Sequence, residues 1–308
     1  MDSPRAGTAK ETINRLPASR GADAKPTRGL YDEVMSDKVF KRLSGFINES
    51  CGIKLPEAKK TMLEGRIRKR LRVLNIDCFE DYCDHIFNSG GSGQELIHMI
   101  DVVTTNKTDF FREPDHFEYL ANIVLPDLAG RNRYGAGEKL NVWSAGCSTG
   151  EEPYTLAMIL NESYARNPGL EFSILATDIS TAVLEKAQKG IYEEQKADPI
   201  PMALRKKYLL RSRDKGKGLI RIAPQLRAQV KFRRLNFMED QYGMQKSVGV
   251  IFCRNVIIYF DRPTQEQILN RLSGCLVRGG YLFIGHSESL HAMDLPLAQT
   301  AATVYRKL

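Results

Sequence analysis

No apolar run in these 308 residues approaches the roughly 18 needed to cross a bilayer, and Met1 to Arg20 lacks the apolar core of a secretory signal. The expectation is a cytoplasmic chain with no membrane insertion. Cysteine is sparse. Its six positions, Cys51, Cys78, Cys83, Cys147, Cys253 and Cys275, contain no C-x-x-C pair, and Cys78, Cys83 and His85 have no evident fourth partner for zinc. Buried reduced thiols are expected, with neither a disulfide framework nor a metal. The remaining composition is that of a folded protein: 42% hydrophobic residues suffice for a substantial core and two domains.

Basic charge is concentrated rather than spread. Met1 to Leu30, Glu57 to Arg72 and Arg205 to Arg234 carry excesses of +3, +5 and +11, whereas the whole chain carries +8, so everything else is acidic by 11. Such patches point to an acidic partner. Met1 to Leu30 is rich in Ala, Gly, Pro, Ser and Arg, has no hydrophobic period, and reads as a disordered basic tail over residues 1–30.

The stretch with the clearest chemistry is N-V-W-S-A-G-C-S-T-G-E-E-P, Asn141 to Pro153. Leu140, Val142 and Trp143 form the end of a buried strand, Gly146 to Gly150 a tight loop, and Pro153 to Leu160 the first turns of a helix. The loop has neither the G-x-G-x-x-G of a dinucleotide site nor the Gly-Lys-Ser/Thr of a P-loop. Glu151 and Glu152 stand where phosphates would bind, so the helix dipole is already answered and a phosphate would be repelled. Dipole compensation alone also accounts for two such glutamates. A cationic adenosine compound, S-adenosylmethionine, suits the loop better. Asp178 strengthens that reading: it lies 28 residues after Gly150, at the end of the strand Phe172 to Ala176, where an acid accepts hydrogen bonds from ribose hydroxyls.

Elsewhere the pattern divides into two regimes. From Asp37 to Val103 the apolar spacing is helical, with Val39, Phe40, Leu43, Phe46 and Ile47 on one stripe and Leu63, Ile67, Leu71 and Leu74 on another. Lys59, Arg66, Lys69, Arg70 and Arg72 fall off the second stripe, forming either a solvated face or a surface for an acidic partner; the excess of one sign favours the partner. After the polar segment Thr104 to Pro114, strands and helices alternate in the doubly wound manner. Thr181 to Lys189 is a helix stopped by Gly190, Val248 to Cys253 a central strand, Gln265 to Val277 a helix stopped by Gly279-Gly280, and Tyr281 to Gly285 and Thr303 to Lys307 strands. Tyr208 to Arg211, Leu219 to Ile222 and Val230 to Arg233 read as an antiparallel insert at about residues 205–235. Its alternation of basic and apolar residues suits RNA or an acidic or C-terminal peptide docked by strand addition.

Five stretches taken together, T-T-N-K-T-D-F-F-R-E from Thr104, W-S-A-G-C-S-T-G-E-E-P-Y from Trp143, A-T-D-I from Ala176, F-C-R-N-V-I-I-Y-F from Phe252 and G-H-S-E from Gly285, resemble the bacterial chemotaxis receptor methyltransferases, the CheR-type protein-glutamate O-methyltransferases. The resemblance runs from about Asp37 to the end. It implies an α/β fold: a class I, Rossmann-like S-adenosylmethionine methyltransferase domain (113–308) with a small antiparallel β insert, preceded by a small all-helical domain and linker (31–112). Position by position, it places Asn106, Thr108, Arg112, Glu152, Asp178, Asn236, Phe237, Arg254 and Asn255 at S-adenosylmethionine, whose product is S-adenosylhomocysteine. Arg112 and Tyr259 match residues set beside the transferred methyl. Arg66, Lys69, Arg70 and Arg72 look like the contact with the methylation helices of chemotaxis receptors, and the insert like the element that docks the receptor's C-terminal tail. Cys147 in a loop of small residues and the basic turn Arg213 to Gly218 depart from the family pattern.

The implied activity is methyl transfer to glutamate carboxylates in the cytoplasmic domains of methyl-accepting receptors, by a monomer that binds no nucleic acid. Two alternatives differ in class. An RNA or nucleobase methyltransferase would use the basic insert, yet Arg254-Asn255-Val256 stands where amino-methylating enzymes carry Asp/Asn-Pro-Pro-aromatic. A non-catalytic sensor or adaptor would not require Arg112 and Tyr259. His286 reads as a loop residue rather than a catalytic one.

Overall fold

Ser36 accepts a hydrogen bond from the Val39 amide at 3.3 Å and so caps the first helix, α1 (Asp37–Cys51), which Gly52 ends in the left-handed conformation. The computed structural model that shows this describes residues 34–87, 93–130, 139–166, 171–244 and 247–308; the tail expected over 1–30 lies outside them. Three more helices follow, α2 (Lys60–Leu74), α3 (Phe79–Phe87) and α4 (Gly93–Val103). The α1 stripe of Val39, Phe40, Leu43 and Ile47 is buried with Leu63, Ile67 and Leu71 of α2, Phe79 and Tyr82 of α3, and Met99 and Val103 of α4. Each such side chain contributes roughly 1.5–3 kcal/mol by leaving water, so this shared core fixes which face of α2 is left outside.

A second unit is built on a seven-stranded sheet. Helix α5 (Pro114–Tyr119) runs through a π turn (Leu120–Val124) into α6 (Leu125–Gly130). Then come β1 (Leu140–Ala145), α7 (Glu151–Arg166), β2 (Phe172–Asp178), α8 (Thr181–Lys189), β3 (Ile191–Glu193), α9 (Met202–Tyr208), β4 (Leu209–Arg211), β5 (Leu219–Ile222), α10 (Pro224–Arg227) and β6 (Val230–Arg234). The chain closes with β7 (Val248–Cys253), α11 (Arg262–Cys275), β8 (Leu276–Ile284), β9 (Leu297–Ala301) and β10 (Val304–Lys307). The order is β6-β2-β1-β7-β8-β10-β9, parallel from β6 to β8 and antiparallel at β10 and β9. All six residues of β7 are buried, as a strand covered on both faces requires. Strands run outward from β1 in both directions, and the crevice at such a reversal is where ligands bind in open α/β sheets.

Three sequence expectations need correction. Val230 to Arg233 is not part of the antiparallel insert: β6 pairs in parallel with β2, Val230 opposite Ile174 and Phe232 opposite Ala176, because those two residues have sheet partners in the main core. The insert is β3-β5-β4, so its third strand is Ile191–Glu193 and the basic run is divided between two sheets. Gly279 and Gly280 lie inside β8 rather than ending α11, since a register shift opposite Val248 to Val250 needs them there. All six cysteines are free and five are buried.

The helical unit docks through specific polar contacts. Lys54 N–H donates to the Tyr259 carbonyl at 2.9 Å and Asn236 Nδ2 to the Ser50 carbonyl at 2.7 Å. Asp101, on α4, accepts from Thr181 Oγ1 at 2.9 Å and the Ala182 amide at 3.4 Å, placing its charge at the N-terminus of α8. Among the described residues no helix is long and apolar enough to cross a membrane.

Candidate active site

The cradle between β1 and α7 is held tight by backbone. The amides of Gly146 and Cys147 both donate to the Thr177 carbonyl at 2.8 Å, tying the loop to the end of β2. Gly146 has φ +85°, and a Cβ there would lie 2.4 Å from Val256 Cγ2, so only glycine lets the wall beyond β7 approach. The two glutamates that begin α7 then diverge. Glu151 is 2% exposed, accepts from Thr149 Oγ1 at 2.6 Å and turns from the crevice; burial pushes its carboxyl above the usual range. Glu152 faces the crevice, its carboxylate accepting from Ser144 Oγ at 2.7 Å and Arg254 Nε at 2.8 Å.

Asp178 sits at the tip of β2, where its two oxygens accept from the amides of Ser148 at 2.8 Å and Ser180 at 3.0 Å. Burial raises its carboxyl and those amides pull it back, the first effect being the larger. The result is an oriented acceptor with lone pairs to spare at the edge of the crevice.

The segment between the helical unit and α5 closes one side. Ser148 Oγ donates to the Asn106 carbonyl at 3.0 Å, and Lys196 Nζ to the Thr108 carbonyl at 2.8 Å and Asp109 Oδ1 at 2.7 Å. The Phe111 amide donates to Thr155 Oγ1 at 3.2 Å, and Arg112 Nη1 to the Lys107 carbonyl at 3.0 Å. From the opposite wall Arg254, 7% exposed, donates to the Arg112 carbonyl at 2.7 Å and lies within 3.4 Å of Glu113 Oε2. Arg254 therefore braces three elements as well as facing the crevice.

These walls enclose a cavity of about 280 Å³. Every residue expected at the cofactor, Asn106, Thr108, Arg112, Glu152, Asp178, Asn236, Phe237, Arg254 and Asn255, lines it, and so does Tyr259. Burial pushes the Tyr259 phenol up while Arg112 and Arg66 pull it down, and Lys59 Nζ stands 5.7 Å over its ring. Apolar surface from Ile53, Leu55, Ile179, Phe237 and Val256 completes the lining. Carboxylates at the α7 terminus and the β2 tip, with apolar walls between them, suit a cationic adenosine compound and not a phosphate.

The basic helix is arranged differently from what its composition implies. Arg70 pairs with Glu95 through Nε at 3.0 Å and Nη2 at 2.6 Å, and Tyr82 OH donates to the same carboxylate at 2.9 Å, so this arginine is consumed inside the helical core. Arg66 donates to the carbonyls of Val103 and, at 3.0 Å, Thr104, and to Thr105 Oγ1 at 3.1 Å, fastening α2 to the cavity wall. Lys69 and Arg72 are exposed. Sequence reasoning missed Glu288, whose carboxylate gathers four backbone amides beneath the wall; the quoted G-H-S-E gave its position but no sign of that role. It also missed His116, buried against Arg254 at 3.1 Å. Among the described residues Glu113, His116 and His286 group at metal-ligand spacing, but the Arg254 guanidinium already supplies the cation there.

Comparison with known proteins agrees with this geometry. Two family models match: "CheR methyltransferase, all-alpha domain" over residues 38–104 and "CheR methyltransferase, SAM binding domain" over residues 106–306. The chain is 40% identical to the chemotaxis protein methyltransferase of Borreliella burgdorferi, covering 85% of this chain and 91% of that protein. It is 38% identical to the chemotaxis protein methyltransferase of Escherichia coli, covering 88% and 91%, and 38% identical to chemotaxis protein methyltransferase 2 of Pseudomonas aeruginosa, covering 91% and 96%.

Proposed function

This chain belongs to the CheR methyltransferase family and uses S-adenosylmethionine, and on that premise we propose that it esterifies glutamate side chains in the cytoplasmic helices of methyl-accepting chemotaxis receptors. The supporting observation is that Arg112 and Tyr259 share one 280 Å³ cavity with Asp178 and Glu152, so a carboxylate-handling pair and a cofactor-handling pair meet. When bound, the cofactor supplies a methyl group on a sulfonium and leaves as a neutral thioether. Asp178 would accept from the ribose hydroxyls of the bound cofactor, and Glu152, Asn106, Thr108 and Phe237, which line the same cavity, would hold the rest of it.

The substrate glutamate is already ionised near neutral pH, so no general base is required. Arg112 orients the incoming carboxylate, and its tether to the Lys107 carbonyl restrains how tightly it holds that charge. The restraint is useful because the carboxylate loses charge as the ester forms, and an over-tight ground-state ion pair would slow the step. Tyr259, close enough to feel the Arg112 charge, fixes the approach with it, while Val256 and Phe260 exclude water, which favours a reaction that neutralises opposite charges.

The chain acts in the cytoplasm as a monomer, with Lys69 and Arg72 meeting the receptor's acidic helices. The insert docks the receptor tail by adding a strand beside β3 or β4, whose Ile191 and Leu210 are 43% and 50% exposed. Incubation with methyl-labelled cofactor and receptor fragments, with and without their tails, tests this: base-labile label on the receptor fragment is expected, and Arg112→Ala is expected to remain folded and lose most transfer. Label on RNA, or cofactor binding with no ester formed, would overturn the assignment.

A further inference from the structure

The loop from Arg254 to Phe260 forms one whole wall of the cavity without belonging to a strand or to any helix longer than the 3-10 turn Ile257–Tyr259. Its shape is set by a single buried side chain from a different loop. Glu288 is 6% exposed, and Oε2 accepts from the amides of Asn255 at 2.9 Å and Gly285 at 2.6 Å, while Oε1 accepts from Val256 and Ile257 at 2.9 Å each. Asn255 is left-handed at φ +58° and Val256 right-handed at φ −118°, ψ −45°, the alternation that turns successive amides into an anion-binding nest. A non-glycine residue in the left-handed region is strained, and a carboxylate filling the nest compensates it.

The same contact sets the wall's position. Gly285 lies so close that a Cβ there would meet Asn255 Nδ2 at 2.4 Å, and Val256 presses on Gly146 of the cradle. Arg254, Asn255, Val256, Ile258 and Tyr259 all reach the cavity from this backbone. We propose that Glu288 is a positioning residue: its carboxylate holds the Arg254–Tyr259 wall against the cradle and thereby sets cofactor affinity and the placement of Tyr259. The inference rests on the cofactor assignment above but concerns a residue outside the cavity lining.

Hydrogen exchange and product binding test it together. In the wild type, the amides of Asn255, Val256, Ile257 and Gly285 are expected to exchange as slowly as those of β7, although none lies in a strand; exchange at the rate of an ordinary loop would overturn the nest. Glu288→Gln keeps the shape and loses two acceptor positions, so it should speed exchange at those four amides and raise the dissociation constant for S-adenosylhomocysteine about tenfold. Glu288→Asp, which keeps the charge on a shorter stem, should recover part of the affinity and should be scored if the glutamine variant does not fold. A lower melting temperature with unchanged affinity and unchanged exchange at residues 255–257 would make Glu288 purely structural and sink the proposal. Failure of the cofactor assignment itself is distinguishable: the wild type would then not bind S-adenosylhomocysteine at all.

Discussion

The cradle and the basic helix α2 are both conspicuous in the sequence for their charge, one acidic and one basic, and in each the fold divides that charge between an internal partner and an open surface. At the cradle, Glu151 and Glu152 lie side by side in the chain, yet one is buried against Thr149 and the other opens onto the cavity. On α2, the four basic residues expected at the receptor divide into Arg70 and Arg66, which are spent on internal carboxylate and carbonyl groups, and Lys69 and Arg72, which face out. Local charge marks a region, but the helix period and the nearest buried acceptor decide whether a given side chain serves the partner or the fold.

Arg70 offers the largest expected effect and the most direct way to break that comparison. With Arg70→Ala the 5% exposed Glu95 side chain is left without its cation, which costs about 3–5 kcal/mol for a buried pair. Thermal melting should show the loss, while cofactor affinity measured below the melting transition should be unchanged. Were Arg70 instead a receptor contact, the melting temperature would hold and only receptor binding would weaken.

Asp178 tests the cradle's side. Removing its carboxylate takes away the expected ribose acceptor and leaves the Ser148 and Ser180 amides unpaired, so Asp178→Ala should weaken S-adenosylhomocysteine binding about a hundredfold by calorimetry. Receptor-fragment binding, if α2 and the insert carry it, should change little. Equal losses in both affinities would mean that the two regions are not separable.

Acid should distinguish them as well. The His116 imidazole is held down to about 4 from an ordinary 6.5 by burial and by Arg254, against an opposing pull from Glu113; His286 also lowers it and Asp115 raises it. Because the folded protein resists protonation that the unfolded chain accepts, stability is fully present above about 6.5 and is lost as pH falls toward 4. Melting temperature should decline across that window, and His116→Gln should flatten the decline. An unchanged slope in the variant would assign the acid sensitivity elsewhere.

Much of the fold was legible because its signals are local. The α1 stripe, the all-apolar β7 and the helix from Thr181 to Gly190 follow from period and capping alone. The cavity lining was legible through linked motifs, since residues from four of the five quoted motifs converge only when the sheet brings strand ends together. Strand pairing was harder to read: Val230 to Arg234 has the alternation of an insert strand, and only the unmet partner of β2 makes it parallel. Glu288 was illegible for a related reason, because a nest exists only after two distant loops meet.

The smallest effect separates Arg66 from Lys69, three positions apart on one helix. Arg66 reaches the carbonyls ending α4 and the Thr105 hydroxyl, at the start of the segment that carries Asn106 and Thr108 to the cavity. Lys69 is exposed, so its contribution is the screened attraction of one surface charge, on the order of 1 kcal/mol or less. Lys69→Ala should therefore raise the receptor KM a fewfold at low salt, by an amount that shrinks as salt is added, and leave cofactor affinity alone. Arg66→Ala should do the reverse, loosening the wall and weakening S-adenosylhomocysteine in the absence of any receptor, with a loss that salt hardly changes because the contacts are hydrogen bonds to carbonyls in a part-buried site. If both variants raised only the receptor KM with the same salt slope, Arg66 would belong to the receptor face after all, and the contrast between outward and inward charge on α2 would reduce to Arg70.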